Sequence, residues 1–276
     1  MLIAHTPGKL HTELDVLRTR GGTQRCVSLV TTKGHLHDGH GAVINAAKTV
    51  SDVVVLAIIP GLEDGENDKI ISAGEFQDIG FAERHKADLL YVPHASRTAS
   101  AGCIGVRVAE FLPEKLRPHG ISPEALTTHL RIINTIQPDI MVWGARKYLE
   151  YRSVRRMISD LDIRTQLQCI PTVRHANGLA VSSQHTTLDT DDKRLPILYE
   201  SLKNIAHALR AGASNFEKVE NTARVALKGA GFQTDYLSIL DDESLQPAGA
   251  MTTAFRIVAG ATLDSLTIHD NLGFKL

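Results

Sequence analysis

The chain has 276 residues, 30 Lys and Arg against 31 Asp and Glu, 43% hydrophobic residues and only 5% aromatics. That length suits one large domain or two modest ones with a properly buried core. A formal net charge of -1 removes any global electrostatic reason to expect nucleic acid or an anionic membrane as a partner.

Cys26, Cys103 and Cys169 form no CxxC pair, which argues against a disulfide framework and a structural zinc site. Each reads as a small buried hydrophobe. The start lacks the apolar region of a secretory signal, and the longest apolar run, VVVLAII at 53–59, is too short to span a membrane. The expectation is a soluble protein of the cytoplasm.

In chain order, CVSLVTT at 26–32 predicts a strand, and the spacing of Ala42, Val43, Ala46, Ala47 and Val50 predicts a helix over 38–51. DVVVLAIIP at 52–60 is continuously apolar, as in a parallel sheet covered on both faces. A helix over 74–88 leads to a short strand at 89–93. A helix over 126–137 stops at Pro138, followed by a strand at 139–144, a helix over 145–162 and a strand at 165–173. This alternation implies a doubly wound, Rossmann-like α/β domain over residues 1–172. Residues 173–276 change texture: a polar, turn-rich loop at 175–188, helices over 190–212 and 214–230, then strands at 235–241 and 253–263. They read as a smaller α+β domain.

The sharpest chemical signal is HLHDGH at 35–40, between the first strand and the first long helix. In an open α/β sheet, ligands bind beyond the carboxyl ends of the strands. A helix N-terminus there supplies open N–H groups and partial positive charge, which suit phosphate. His37 and His40 share one face of the turn, and Gly39 allows close approach to the backbone. Chance surface histidines and a metal site built on His35, His37 and His40 are the competing readings. Asp38 is the one adjacent carboxylate, so phosphate ranks first and metal last. Neither a Walker A sequence nor GxGxxG is present.

LVTTKGHLHDGHGAVINAAKTVSDVVVLAI resembles the opening strand–loop–helix–strand of the pantoate–β-alanine ligase (pantothenate synthetase) family, which reads PTMGxLHxGH there. IINTIQPDIMVWGARKY is similar to that family's NxxxPDxxxFGEKDxQQ. RRMISDL follows in register, IPTVRHANGLAVSSQHTTL is similar to PTxREPDGLAxSSRNxYL, and HDN at 269–271 to a terminal IDN. The resemblance implies an HxGH-type nucleotidylyl-transfer fold with a C-terminal lid, and a homodimer. It implies an AMP-forming ligase using ATP and Mg2+, which activates a small acid as acyl adenylate and passes it to a small amine.

By the same resemblance, His37, His40 and Arg146 are the candidate catalytic residues, Arg146 standing where the family has a lysine. Thr32, Gly34, Gly39, Gly144, Val173, Ser182 and Ser183 are the candidate nucleotide-binding residues, with Gly178 near the adenine. No protein ligand to a metal is implied. Gln184 replaces a phosphate-binding arginine, and GISPE at 120–124 replaces an arginine-bearing loop.

The acid pocket departs further. Thr31 and Lys33 replace a proline and a methionine, Lys147 an aspartate, and Asp64 and Glu150 fall at or near two pantoate-binding glutamines. Ionised Asp64 and Glu150 accept hydrogen bonds only and repel a carboxylate, whereas Lys33 and Lys147 suit one. The expectation is an acid substrate other than pantoate. The competing readings are ordinary pantoate–β-alanine ligation and a catalytically weak nucleotide-binding paralogue. His85, His94, His119, His129 and His207 read as surface residues, Trp143 as core or pocket wall, and the acidic 63–69 as a solvated loop.

Overall fold

The protein is described from a computed structural model covering residues 1–59, 73–93, 108, 112–182 and 192–276. Asp64, the 63–69 loop, His94, Cys103, Ser183 and Gln184 lie outside the described residues. The chain divides into two compact units, and not by a single cut. The first comprises 1–111, 120–144 and 149–171; the second comprises 112–119, 145–148 and 172–276.

The first unit is a six-stranded parallel sheet built from β1 (Leu2–Ala4), β2 (Val27–Thr32), β3 (Val53–Ile58), β4 (Leu89–Tyr91), β5 (Ile140–Gly144) and β6 (Gln166–Ile170). Its spatial order is β1-β4-β3-β2-β5-β6. The helices are α1 (Pro7–Thr19), α2 (Asp38–Val50), α3 (Ala73–Arg84), α4 (Pro123–Ile136) and α5 (Tyr148–Asp160). Alternation along the strands assigns the two faces. Leu29, Val53, Val55 and Met141 pack with Leu10 and Leu14 of α1, Ile133 of α4 and Val154 of α5. Val30, Val54, Leu56 and Val142 pack with Ile44 of α2 and Phe81 of α3. Both faces are thus covered, which is why β3 reads as unbroken hydrophobic sequence.

Three aspartates fasten the amino ends of the strands. The carboxylates of Asp52, Asp88 and Asp139 accept from the backbone N–H of Cys26 (2.9 Å), Val54 (2.8 Å) and Val27 (2.8 Å). These contacts fix register at the end of the sheet opposite the HLHDGH loop.

The second unit holds α6 (Ile197–Arg210) and α7 (Phe216–Gly229) beside an antiparallel sheet of β7 (Phe232–Asp241), β8 (Ala254–Leu263) and β9 (Leu266–Lys275). Leu198, Leu202, Ile205 and Leu209 form one stripe of α6 and pack with Leu237, Ile239, Ile257 and Ala259.

Several expectations change. β1 and α1 carry sequence signals that the alternation argument passed over: Thr6 caps α1 through the Lys9 N–H, and Pro7 opens its first turn. β9 runs through the HDN motif. Pro123 starts α4 three residues early, with Ser122 as its cap, so GISPE begins a helix. The helix expected over 145–162 opens instead with a 3-10 turn, Ala145–Lys147. Arg174, one residue before the expected polar loop at 175–188, pairs with Ala180 inside it as an antiparallel bridge. Among the described part of 190–212, α6 begins only after Pro196, its N-cap. Cys169 is exposed on β6, not buried. His129 is buried against Trp143, with ring centroids 5.3 Å apart. No helix among the described residues is long and apolar enough to cross a membrane.

Candidate functional site

The strand order reverses direction at β2, with β3 and β4 on one side and β5 and β6 on the other. The crevice beyond the carboxyl ends of β2 and β5 is therefore the switch point where this architecture takes ligands. Thr32 and Gly144 end these two strands, and Lys33–His37 fills the turn from β2 into α2.

That turn is held from inside. Gly34 and His35 both adopt positive φ, at 86° and 52°. Buried Asp78 on α3 accepts from the His35 N–H at 2.8 Å and the Leu36 N–H at 2.6 Å. A Cβ at Gly34 would sit 2.9 Å from Asp78 Oδ2. The glycine is thus required by backbone conformation and by the carboxylate together. Asp78 lies far along the chain from the motif, so no local pattern announced it. Asp78→Ala strands two backbone donors; if the turn binds Mg-ATP, as the family resemblance implies, the variant is expected to weaken that binding by about 10-fold or more, since each hydrogen bond to a charged partner contributes ~1.5–3 kcal/mol. Calorimetric titration checks this, and wild-type affinity would contradict it.

His37 is the N-cap of α2. Its Nδ1 accepts from the Gly39 N–H at 3.1 Å, so that first-turn amide is engaged rather than open as the sequence suggested. A neutral His37 therefore carries its proton on Nε2. The His37 N–H donates to His40 Nδ1 at 3.3 Å, while His40 Nε2 lies 3.0 Å from Thr32 Oγ1. With Nδ1 accepting, a neutral His40 donates its Nε2–H to Thr32, an assignment made from the network. The two rings sit 4.1 Å apart. The Gly34 N–H also donates to Thr32 Oγ1, at 3.2 Å. Thr32, Gly34, His37, Gly39 and His40 are thus one bonded cluster. Thr31 is half-buried, and Lys33, His35 and Asp38 are exposed. At the end of β5, a Cβ on Gly144 would meet Val43 of α2 at 3.5 Å. Glu150, half-buried, lies in the first turn of α5.

The remaining candidates belong to the second unit. Arg146 is half-buried and Lys147 exposed, both on the 3-10 turn. Val173 accepts from the Val181 N–H at 3.0 Å, closing a small hairpin that ends at buried Ser182. Arg174, which the sequence reading left without a role, governs this hairpin. Its guanidinium donates to the Gly178 carbonyl at 3.0 Å, makes a two-pronged pair with Asp270 at 2.6 and 2.8 Å, and lies 3.6 Å over the Tyr199 ring. Tyr148 is buried and donates to Asp242 at 2.6 Å.

His119, expected at the surface, stacks on Tyr236 with centroids 4.0 Å apart, and the Tyr236 hydroxyl lies 3.3 Å from His269 Nδ1. Gly260, between Tyr236 and His269 in the sheet, leaves room for both rings. Burial pushes the His269 pKa below its ordinary value, and Arg146, Lys147 and His119 add to that against the opposing pull of Asp235. Burial lowers His119 as well, again opposed by Asp235. A histidine lowered in the fold leaves the unfolded chain to take up the proton first. Stability is therefore expected to be full above about pH 6.5 and to fall as pH drops below it towards the folded-state pKa values. His269→Gln is expected to flatten that slope in a Tm series over about pH 5–7.5. An unchanged slope would contradict this.

Among the described residues, no three His, Cys, Asp or Glu side chains form a metal-holding group. Magnesium bound chiefly by phosphate oxygens and water needs no such cage.

Residues 2–273 match the family model described as pantoate-beta-alanine ligase. The chain is 31% identical to the pantothenate synthetase of Methylococcus capsulatus, over 96% of each chain. It is 32% identical to that of Azotobacter vinelandii, over 95% of each. The crystal structure of pantothenate synthetase from Thermus thermophilus is similar with a TM-score of 0.82 and 26% identity, covering 99% of both chains. A Francisella tularensis pantoate-beta-alanine ligase, solved with a β-γ ATP ligand and β-alanine, shares the fold at a TM-score of 0.68 and 22% identity, over 99% of this chain and 97% of that one.

Proposed function

Because the chain belongs to the pantoate–β-alanine ligase family, we propose that it is an ATP-dependent, AMP-forming carbon–nitrogen ligase whose first step occurs at the Thr32–His40 turn. A carboxylate oxygen of the acid attacks the α-phosphorus of ATP. The bond from α-phosphorus to the bridging oxygen breaks, and pyrophosphate leaves. An amine then attacks the acyl carbon, the new C–N bond forms, AMP departs, and the ammonium proton passes to water. The acid is already ionised, so the first step needs no general base.

The observation that carries this reading is the bonded cluster of Thr32, Gly34, His37 and His40 at the switch point. Imidazole N–H groups and the α2 dipole there stabilise charge on the transferring phosphate. The His40 Nε2–H is held by Thr32, so its use on phosphate requires exchanging that bond. Arg146 supplies a cation, a planar fork where the family has an ammonium. By the family resemblance, Gly39, Gly144, Val173, Ser182 and Ser183 are the further candidates for nucleotide binding. Magnesium, when bound with the triphosphate, neutralises the leaving pyrophosphate.

The acid is a separate question. Thr31, Lys33, Asp64, Lys147 and Glu150 depart from the family pattern, and this supports an acid other than pantoate. A pocket that loses its matching hydrogen-bond donors seldom keeps its old substrate. Pyrophosphate release with Mg-ATP, pantoate and β-alanine, beside a panel of amino, hydroxy and keto acids, separates the cases. Release with another acid in preference to pantoate supports the altered pocket. Release with pantoate and β-alanine makes the chain an ordinary pantoate ligase. Silence throughout, with Mg-ATP still bound, favours a weak paralogue.

We also place the chain in the cytoplasm as a homodimer. β6 ends the described sheet with Gln166, Gln168 and Cys169 exposed, an edge able to meet a second copy. A monomer in sedimentation would contradict the dimer.

A further inference from the structure

The 3-10 turn that carries Arg146 is fastened at both ends by one polar network of the second unit. The buried Asn271 side chain donates through Nδ2 to the carbonyl oxygens of Ala145 at 2.7 Å and Arg146 at 3.1 Å. Its amide orientation is set by Arg256, whose Nη1 donates to Asn271 Oδ1 at 3.0 Å. With Oδ1 facing a cation, the NH2 group must face the two carbonyls. Arg256 is itself fixed: it donates to Asp242 through Nε at 2.9 Å and Nη2 at 3.4 Å. One face of its guanidinium lies 3.7 Å over the Tyr148 ring, and it packs where a Cβ on Gly273 would collide. The circuit closes when the Tyr148 hydroxyl donates to Asp242. Asn271 thus holds the start of the segment 145–148, and Asp242 holds its end.

We propose that Asn271, Arg256 and Asp242 are positioning residues for Arg146, acting on its main chain to set the reach of its guanidinium towards the phosphates of ATP. This rests on the reading of Arg146 as a nucleotide cation. The network grips backbone atoms and so restricts where the Arg146 side chain starts. Loss of the Asn271 amide frees the turn without touching the cation, and the cation then spends less time within reach of phosphate.

The test is a double-mutant cycle read by calorimetric titration with Mg-ATP alone, which needs no acid substrate. Asn271→Ala is expected to weaken Mg-ATP binding by about 3- to 10-fold, and to add nothing further in an Arg146→Ala background. A residue with only a general structural role weakens both backgrounds alike. Additive losses, or unchanged binding in Asn271→Ala, would overturn the proposal. If Arg146→Ala itself binds Mg-ATP like the wild type, the reading of Arg146 falls, a distinct outcome. Should circular dichroism show Asn271→Ala unfolded, Arg256→Lys replaces it in the cycle. That variant keeps the charge, loses the two-pronged grip on Asp242, and carries the same expectation.

Discussion

Alanine at His40 or at Arg146 is expected to lower the rate of pyrophosphate release by at least about 100-fold, the usual cost of removing one preorganised donor from a developing charge. The two variants fail for different physical reasons. His40 joins the turn at two points, accepting from the His37 N–H and meeting Thr32 Oγ1. His40→Ala therefore loses a donor and loosens the N-terminus of α2. Arg146→Ala removes a side chain from a turn whose carbonyls remain in the grip of Asn271. Its Tm is expected to stay within about 2 °C of the wild type while activity collapses, as for a substitution outside the core. His207, exposed on α6, is the control. Single-turnover assays with ATP and the preferred acid read all three. Wild-type rates in His40→Ala and Arg146→Ala would remove both residues from the chemistry.

The largest stability effect is expected at Asp270. This residue is 4% exposed and holds both prongs of Arg174, while also accepting from the Asn271 N–H at 2.7 Å. Asp270→Ala leaves a largely buried guanidinium without its carboxylate, a change that costs about 3–5 kcal/mol. For a unit of this size the Tm is expected to fall by roughly 10–20 °C. The hairpin from Val173 to Ser182 loses its anchor at the same time, so Mg-ATP affinity is expected to fall with stability. The exposed pair Arg156–Asp160 is the comparison. Asp160→Ala is expected to cost no more than about 0.5 kcal/mol, because solvent already screens that pair. A small Tm change in Asp270→Ala by scanning calorimetry would contradict the role given to the buried pair.

What could be read from the sequence follows from how local each signal is. β2, the HLHDGH turn and α2 are contiguous, and their apolar spacing and glycines are visible in one window. β1 is three residues long, and α1 is announced only by Thr6-Pro7 and the spacing of Leu10, Leu14 and Leu17. β9 mixes His269, Asp270 and Asn271 into its middle and so lacks the alternation of a half-buried strand. Its polar residues are there to hold Arg174 and the 145–147 turn, which is also why a break interrupts the helix expected from 145. Asp78, Arg174 and Arg256 escaped for a related reason. Each acts on a partner brought near by sheet register or helix packing, and spacing along the chain carries no trace of that. Lys33, Lys147 and Glu150 were visible as departures because a family pattern stood beside them. Their burial, exposed for the lysines and intermediate for Glu150, came only with the fold.

The most direct measurement follows an oxygen atom. The acid that supports pyrophosphate release is labelled with 18O in its carboxylate and turned over with ATP and the amine, and the AMP is analysed by mass spectrometry. Attack of the carboxylate on the α-phosphorus, followed by amide formation, leaves one carboxylate oxygen on AMP. One 18O per AMP is the expected result. Unlabelled AMP, or ADP and phosphate in its place, would contradict an acyl adenylate and the chemistry assigned to His37, His40 and Arg146.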